Sequence, residues 1–357
     1  MAGTNKSTKI TEDFFGLDSN GNKIRRFTLM NQNSTIIQII DYGATVTSIK
    51  VADIQGKIED VALGFDDMRG YQSKVNPYFG ATVGRVANRV CPTDFEFNGE
   101  KLSLTKNITS PLNVQLHGGI KGFDKVIWNA SVEGDSVVFT YVSKDGEEGY
   151  PGTVLATSIY QLTSCNKLNI QYKAVVSKPT MVNLTNHSYF NLAGHGSGSK
   201  GLLQQVLTVN ADYYTPLEKL IPTGKLNNVS GTGYDLRTPR KLSEAFAELD
   251  TDGYDINFCI NQSFVQPGFV FAARIIDPDS GRYLEVSTNQ PGVQVYTSNA
   301  MDDFEGKGGA KYGKHSAICF ETQQFPNAIH NKTFPSIIVR PGEEYCHLVS
   351  YAFGVIQ

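Results

Sequence analysis

The chain has 357 residues, a net charge of −3 and 19% charged residues, fewer than the roughly 25% of an average domain. That length allows a sizeable core in one large domain or two medium ones, and the lack of a basic excess argues against a general nucleic-acid binder. With 34 Gly, 20 Phe and 17 Tyr beside a single Trp, the composition favours turns and strands and points to an all-β protein.

Residues 1–9 are polar and are expected to form a frayed end. The opening MAGTNKSTKITEDFFG has no apolar stretch of the kind a secretory signal carries, and no apolar run approaches the about 18–20 residues of a membrane span. Five cysteines (Cys91, Cys165, Cys259, Cys319, Cys346) are scattered, without a Cys-x-x-Cys pair. Reduced thiols in a cytoplasmic protein are the simpler expectation, with no membrane partner. Two glycosylation sequons start at Asn183 and Asn186, inside a segment singled out below, where a glycan would block the proposed cleft.

From Lys23 onward the sequence alternates strand and turn. Ile36–Ile40 and Thr45–Val51 read as strands. Asn98-Gly99 between alternating apolar residues predicts a hairpin over Phe95–Leu102. Similar turn chemistry at Gly134, Gly146, Gly281 and Gly342 separates strands over Val137–Val142, Leu155–Leu162, Leu168–Val176, Phe269–Asp277 and Tyr283–Thr288. Helical periodicity is confined to Arg240–Leu249, with a further turn over Asp66–Tyr71. Gly194–Gly201 reads as a loop, followed by a strand over Leu202–Val209. No fixed-period repeat or Pro-rich linker interrupts the pattern, so one β domain is expected over 10–357.

Two nucleotide-like motifs fail on context. Gly196–Gly201 matches G-x-G-x-x-G, but no βαβ unit surrounds it. Gly308–Lys314 resembles a phosphate loop, yet His315 stands where a Ser or Thr should bind Mg²⁺, and a strand follows. No metal-ligand spacing and no nucleophile elbow occur.

The informative stretch is Val182–Leu192, VNLTNHSYFNL. Read as one strand, it puts Asn183, Thr185, His187, Tyr189 and Asn191 on a polar face. Such a row suits a cleft for a polyhydroxylated molecule; the plain alternative is a half-buried strand whose histidine bonds a neighbour. Ser316–Phe325 is a second strand, with Glu321 on the face of Ala317, Cys319 and Gln323. A carboxylate near apolar groups is pushed toward a higher pKa and becomes a useful base near neutral pH; the alternative is a structural ion pair. His117 precedes Gly118-Gly119, either where backbone meets a ligand or in an exposed turn. Arg85, Asn88 and Arg89 serve hydroxyl recognition or structural pairing. Asp255 accepts from vicinal hydroxyls or caps a turn, and Gln294 and Tyr296 share a face opposite Val293 and Val295.

Together these residues resemble one family, the aldose 1-epimerases or galactose mutarotases. From about Tyr78 to Pro341 its motifs occur in order: Gly84-Arg-Val-Ala-Asn-Arg89, Leu116-His-Gly-Gly119, Asn183–Leu192, Pro222-Thr-Gly224, Tyr254-Asp-Ile-Asn-Phe258, Gln290-Pro-Gly-Val-Gln294 and Glu321-Thr-Gln323. The resemblance implies a β-supersandwich of two large, mostly antiparallel sheets with few short helices, and interconversion of the α and β anomers of free aldohexoses. It implies Glu321 as general base and His187 as general acid, with Asn88, Arg89, His117, Tyr189, Asp255 and Gln294 contacting the monosaccharide. That chemistry needs no metal and no cofactor. The alternatives are a hexose-6-phosphate 1-epimerase, which would need further cations for the phosphate, and a non-catalytic sugar-binding module.

Overall fold

A computed structural model describes residues 8–110, 112–262 and 268–356. Residues 1–7 of the expected frayed end lie outside the described residues; Lys9, at its other limit, already opens the first strand, Lys9–Leu17. Strands dominate, and the α-helices of the described residues are single turns: Met68–Tyr71, Gly198–Leu202 and Leu242–Phe246. Among the described residues no helix is long and apolar enough to cross a membrane.

Three antiparallel sheets build the fold. The largest has nine strands, in the order Asn129–Glu133, Ser136–Ser143, Val154–Leu162, Lys167–Val176, Tyr345–Val355, Arg282–Thr288, Val270–Ile276, Val206–Val209 and Arg240–Lys241. Its strands show the expected alternation: every second residue of KLNIQYKA is buried, because successive side chains point to opposite faces. A six-stranded sheet runs Tyr189–Phe190, Ile318–Gln323, Gly292–Tyr296, Asp255–Ile260, Ala211–Tyr214 and Asn227–Asn228. A five-stranded sheet of residues 9–60 covers a third side, with Phe27 edge-on to Phe139 of the nine-stranded sheet, ring centroids 5.6 Å apart.

The core lies between the six- and nine-stranded sheets. Phe190 and Phe320 of the former meet Tyr351 and Phe353 of the latter, and the Tyr351 hydroxyl donates to Phe320 O at 3.0 Å. Each such ring, fully buried, contributes about 1.5–3 kcal/mol. With this face of the six-stranded sheet committed to the core, its other face carries Glu321, Gln294, Asp255 and Tyr189.

The hairpin forms as expected, with Asp94–Phe97 paired to Glu100–Ser103 and both Asn98 and Gly99 at positive φ. Three expectations need correction. The helix expected over Arg240–Leu249 spans only Leu242–Phe246, and it starts late because Arg240 and Lys241 pair with Leu207 and Val206 as the edge of the large sheet. The expected loop over Gly194–Gly201 ends in the helix Gly198–Leu202, anchored by the fully buried Leu202, and the following strand is only Val206–Val209. This helix is a single turn among antiparallel strands, so the dinucleotide context is still missing.

The largest difference concerns Val182–Leu192, which is not one strand. Thr185–Asn186 pairs with Thr82–Val83, and Tyr189–Phe190 pairs with Ile318–Cys319. His187 sits at the change of partner, donating its N–H to Ala81 O and accepting from Gly80 N–H, both at 2.9 Å. Asn183, Thr185 and Asn191, expected to line a cleft, are buried fasteners instead. Asn183 accepts from Gln324 N–H at 2.9 Å and donates to Gln324 O at 3.3 Å; Thr185 Oγ1 donates to Thr322 O at 2.9 Å; Asn191 donates to Ser316 O at 2.8 Å. They tie the histidine segment to the strand that bears Glu321.

Candidate active site

On the outer face of the six-stranded sheet, antiparallel pairing sets two rows of side chains side by side. Asn257 faces Gln294, which faces Glu321; two residues along, Asp255 faces Tyr296, Tyr296 faces Cys319, and Cys319 faces Tyr189. Two loops close over these rows. One carries Tyr78; the other is the pairing of Arg89–Val90 with Gln115–Leu116. Gly118 lets the second loop lie against the backbone at Gly84: at φ +86°, any Cβ there would fall 1.9 Å from Gly84 O.

Between rows and loops lies a cavity of about 240 Å³. Asn88, Arg89, His117, His187, Tyr189, Asp255, Gln294 and Glu321 all line it, joined by Pro77, Tyr78, Leu116, Tyr296 and Ala300. The eight residues expected at the site are therefore brought together from segments spread over more than two hundred positions. Arg85 is not among them. Its buried guanidinium donates to Ser143 Oγ and to the carbonyls of Lys144, Pro151 and Gly152, which makes it a structural cation.

His187 Nε2 lies 3.5 Å from Glu321 Oε2, with both side chains buried. The imidazole is held between two parallel rings, Tyr189 at 5.0 Å and Tyr78 at 5.9 Å, tilted by only 8° and 12°. Tyr189 spends its hydroxyl on Pro77 O at 2.9 Å, so it offers the cavity its ring rather than its oxygen. Tyr78 was not foreseen. A tyrosine at φ +66° after Asn-Pro leaves no periodic signal, because its place depends on the histidines it packs against. Tyr296, read on the correct face, was not carried into the expected site; its hydroxyl accepts from Ala300 N–H at 3.1 Å.

The remaining polar groups have assignable roles. His117 Nδ1 accepts from Asn88 N–H at 3.1 Å, so the neutral ring carries its proton on Nε2 as a donor. His117, His187 and Glu321 place three donor atoms within 4.8 Å, a spacing that suits a metal ion. A metal-bound imidazole, however, donates from its second nitrogen, whereas here that nitrogen accepts from an immovable backbone N–H. The chemistry of His117 is thus that of a hydrogen-bond donor. Asn88 Oδ1 accepts from Arg89 N–H at 2.9 Å, leaving its amide NH₂ as a donor. Asp255 accepts from Gln294 Nε2 at 2.6 Å and lies 3.5 Å from the Arg89 guanidinium.

Burial pushes the Glu321 carboxyl well above its usual range; the Asp255 charge raises it further and Arg89 opposes both. Burial pushes His187 down to about 3. His117 is likewise held well below its usual value by burial, then by His187, Arg89 and Lys125. The general-acid expectation for His187 thus meets a difference: burial favours the neutral imidazole. The buried pair favours a single proton lodged on Glu321, and moving it to His187 leaves the net charge unchanged.

A buried carboxyl and imidazole thus lie side by side under a rim of amides, a second imidazole and a guanidinium, all at one cavity. The chain belongs to the aldose 1-epimerase family, whose model matches residues 25–352. It is 44% identical to the galactose mutarotases of Bos taurus and Homo sapiens, over 97% of this chain and 99% of each relative. The aldose 1-epimerase of Escherichia coli is 33% identical over 94% of this chain and 97% of its own. Among solved structures, an aldose epimerase homologue from C. elegans superposes with a TM-score of 0.84 at 27% identity, covering 97% of this chain and all of that one. A galactose 1-epimerase from Lactobacillus acidophilus gives 0.80 at 27% identity, over 98% and 100% of the two chains.

Proposed function

We propose that Glu321 and His187 perform the acid–base chemistry of an aldose 1-epimerase, an isomerase that interconverts the α and β anomers of free aldohexoses such as galactose and glucose. One observation carries these roles: the two buried groups sit 3.5 Å apart at one cavity. The hydroxyl oxygen O1 and the ring oxygen O5 are both bonded to C1, so a base for one and an acid for the other must be close neighbours. With the pair's one proton moved from Glu321 to His187, Glu321 takes the proton from O1, the C1–O5 bond breaks as the C1=O1 bond forms, and His187 delivers its proton to O5. Rotation about C1–C2 by about half a turn presents the other face of the aldehyde, and closure reverses each transfer. His117 Nε2–H meets the charge developing at O5, while Asn88, Arg89, Asp255 and Gln294 hold the sugar hydroxyls during rotation.

Among the described residues that line the cavity, Arg89 is the one cation, and it faces Asp255. That arrangement favours a neutral sugar over a hexose 6-phosphate. Polarimetry on freshly dissolved α-galactose, α-glucose and glucose 6-phosphate tests it. Both free sugars are expected to equilibrate faster with the protein and the phosphate to gain little; no acceleration of either free sugar sinks the enzymatic function.

The pair is active while it holds one proton. On the acid side kcat/KM falls only as His187 gains a second, near pH 3. On the alkaline side it falls as the pair loses its last proton, at the raised value of Glu321. Asp255 helps to raise that value, so Asp255→Asn is expected to move the alkaline limb to lower pH, beyond any effect on sugar affinity. A kcat/KM profile with an unmoved limb would assign that limb to another group.

A further inference from the structure

Behind the site, a second histidine spans the core. His347 lies on Tyr345–Val355 of the nine-stranded sheet and is fully buried. Its Nδ1 is 3.1 Å from Leu184 O, and its Nε2 is 2.8 Å from Thr322 Oγ1. A carbonyl can only accept, so Nδ1 carries the proton and Nε2 accepts from the threonine hydroxyl. Burial holds the ring neutral, down to about 3, as this arrangement requires. Tyr345, two residues earlier, completes the grip on the same residue, since Leu184 N–H donates to its hydroxyl at 3.0 Å. The Thr185 hydroxyl, in turn, donates to Thr322 O at 2.9 Å.

These bonds close a circuit from Thr322 through His347 to Leu184, and from Thr185 back to Thr322. Thr322 adjoins Glu321, and Leu184 precedes His187 by three residues. The circuit therefore joins the base-bearing strand to the acid-bearing segment through an interface otherwise filled by Phe190, Phe320, Val349 and Tyr351. A polar link in an apolar layer costs desolvation, and it is retained here with both ring nitrogens satisfied. We propose that His347 is a positioning residue that sets the spacing of His187 and Glu321 from the opposite sheet.

That role presupposes the acid–base assignment made above. His347→Phe fills the same space and leaves Leu184 O and the Thr322 hydroxyl unpaired. It is expected to lower kcat about 10–100-fold, the size of effect caused by a misplacement of about an ångström, with galactose KM little changed. Loosening the pair also weakens the attraction that stabilises its one-proton state, so the pH plateau of kcat/KM narrows from both sides. His347→Gln, which keeps a donor and an acceptor, is expected to restore most of kcat. Val286→Ala, in the same core but outside the circuit, controls for lost stability and should leave kcat and the plateau unchanged.

Unchanged kcat and plateau in a folded His347→Phe protein would overturn the positioning role. So would equal losses in His347→Phe and Val286→Ala. Should the phenylalanine protein fail to fold, Thr322→Val, which removes the hydroxyl that His347 Nε2 accepts from, decides: a kcat and plateau no different from those of Val286→Ala overturn the role, and a lowered kcat with a narrowed plateau supports it. Full activity in Glu321→Gln would defeat the acid–base roles themselves, a result distinguishable from failure at His347 alone.

Discussion

Glu321→Gln is expected to bind galactose as the parent does and to lose about 10²–10⁴-fold in mutarotation rate, the range typical of a general base. Glutamine keeps the size and the polar end of the side chain but cannot take a proton from O1. Stability moves the other way. Glu321 Oε2 has no hydrogen-bond partner, and burial raises its carboxyl above the unfolded value. A raised acid costs stability as pH climbs through its folded pKa, so removing the charge should increase Tm by about 1–3 °C at alkaline pH. Calorimetric galactose titration, polarimetry and thermal melts read the three quantities. Activity within tenfold of the parent would remove Glu321 from the mechanism.

His187→Asn is expected to do comparable damage, about 10²–10⁴-fold, because O5 loses its proton donor. The smaller amide also leaves Tyr78 and Tyr189 without the ring they enclose. The double variant distinguishes an acid–base pair from two independent contacts. Groups that act as one unit are strongly non-additive, so the double variant should be no slower than the worse single one. A product of the two separate losses would show that the residues act independently, and an unchanged rate in His187→Asn would end its role as acid.

Much of this site was legible in the sequence for identifiable reasons. Glu321, Gln294 and Tyr296 lie on strands that keep the same partners along their length, so alternation alone placed them opposite Val293, Val295 and Phe320. The Asn98-Gly99 turn was legible because its backbone demand is local. Val182–Leu192 was misread because its register belongs to two different partners. Alternation cannot announce a change from Thr82–Val83 to Ile318–Cys319. For the same reason Asn183, Thr185 and Asn191 looked like cleft residues when they are fasteners. Tyr78 and His347 act through neighbours remote in the chain and left no local pattern.

The two rows on the six-stranded sheet also divide what can change from what cannot. Glu321 is flanked by ladder hydrogen bonds, and a one-residue slip of its strand would turn it into the core. By contrast, Tyr78, Asn88 and His117 stand on irregular backbone at positive φ. Insertions or exchanges in those loops can alter which hydroxyls are met without moving the carboxylate. A lineage could therefore drift from one sugar to another by loop variation alone, its chemistry inherited intact on the sheet. Directed evolution aimed at new aldoses would be best confined to Asn76, Pro77 and Asn88, with His117 and the Tyr78 ring that packs on both histidines kept.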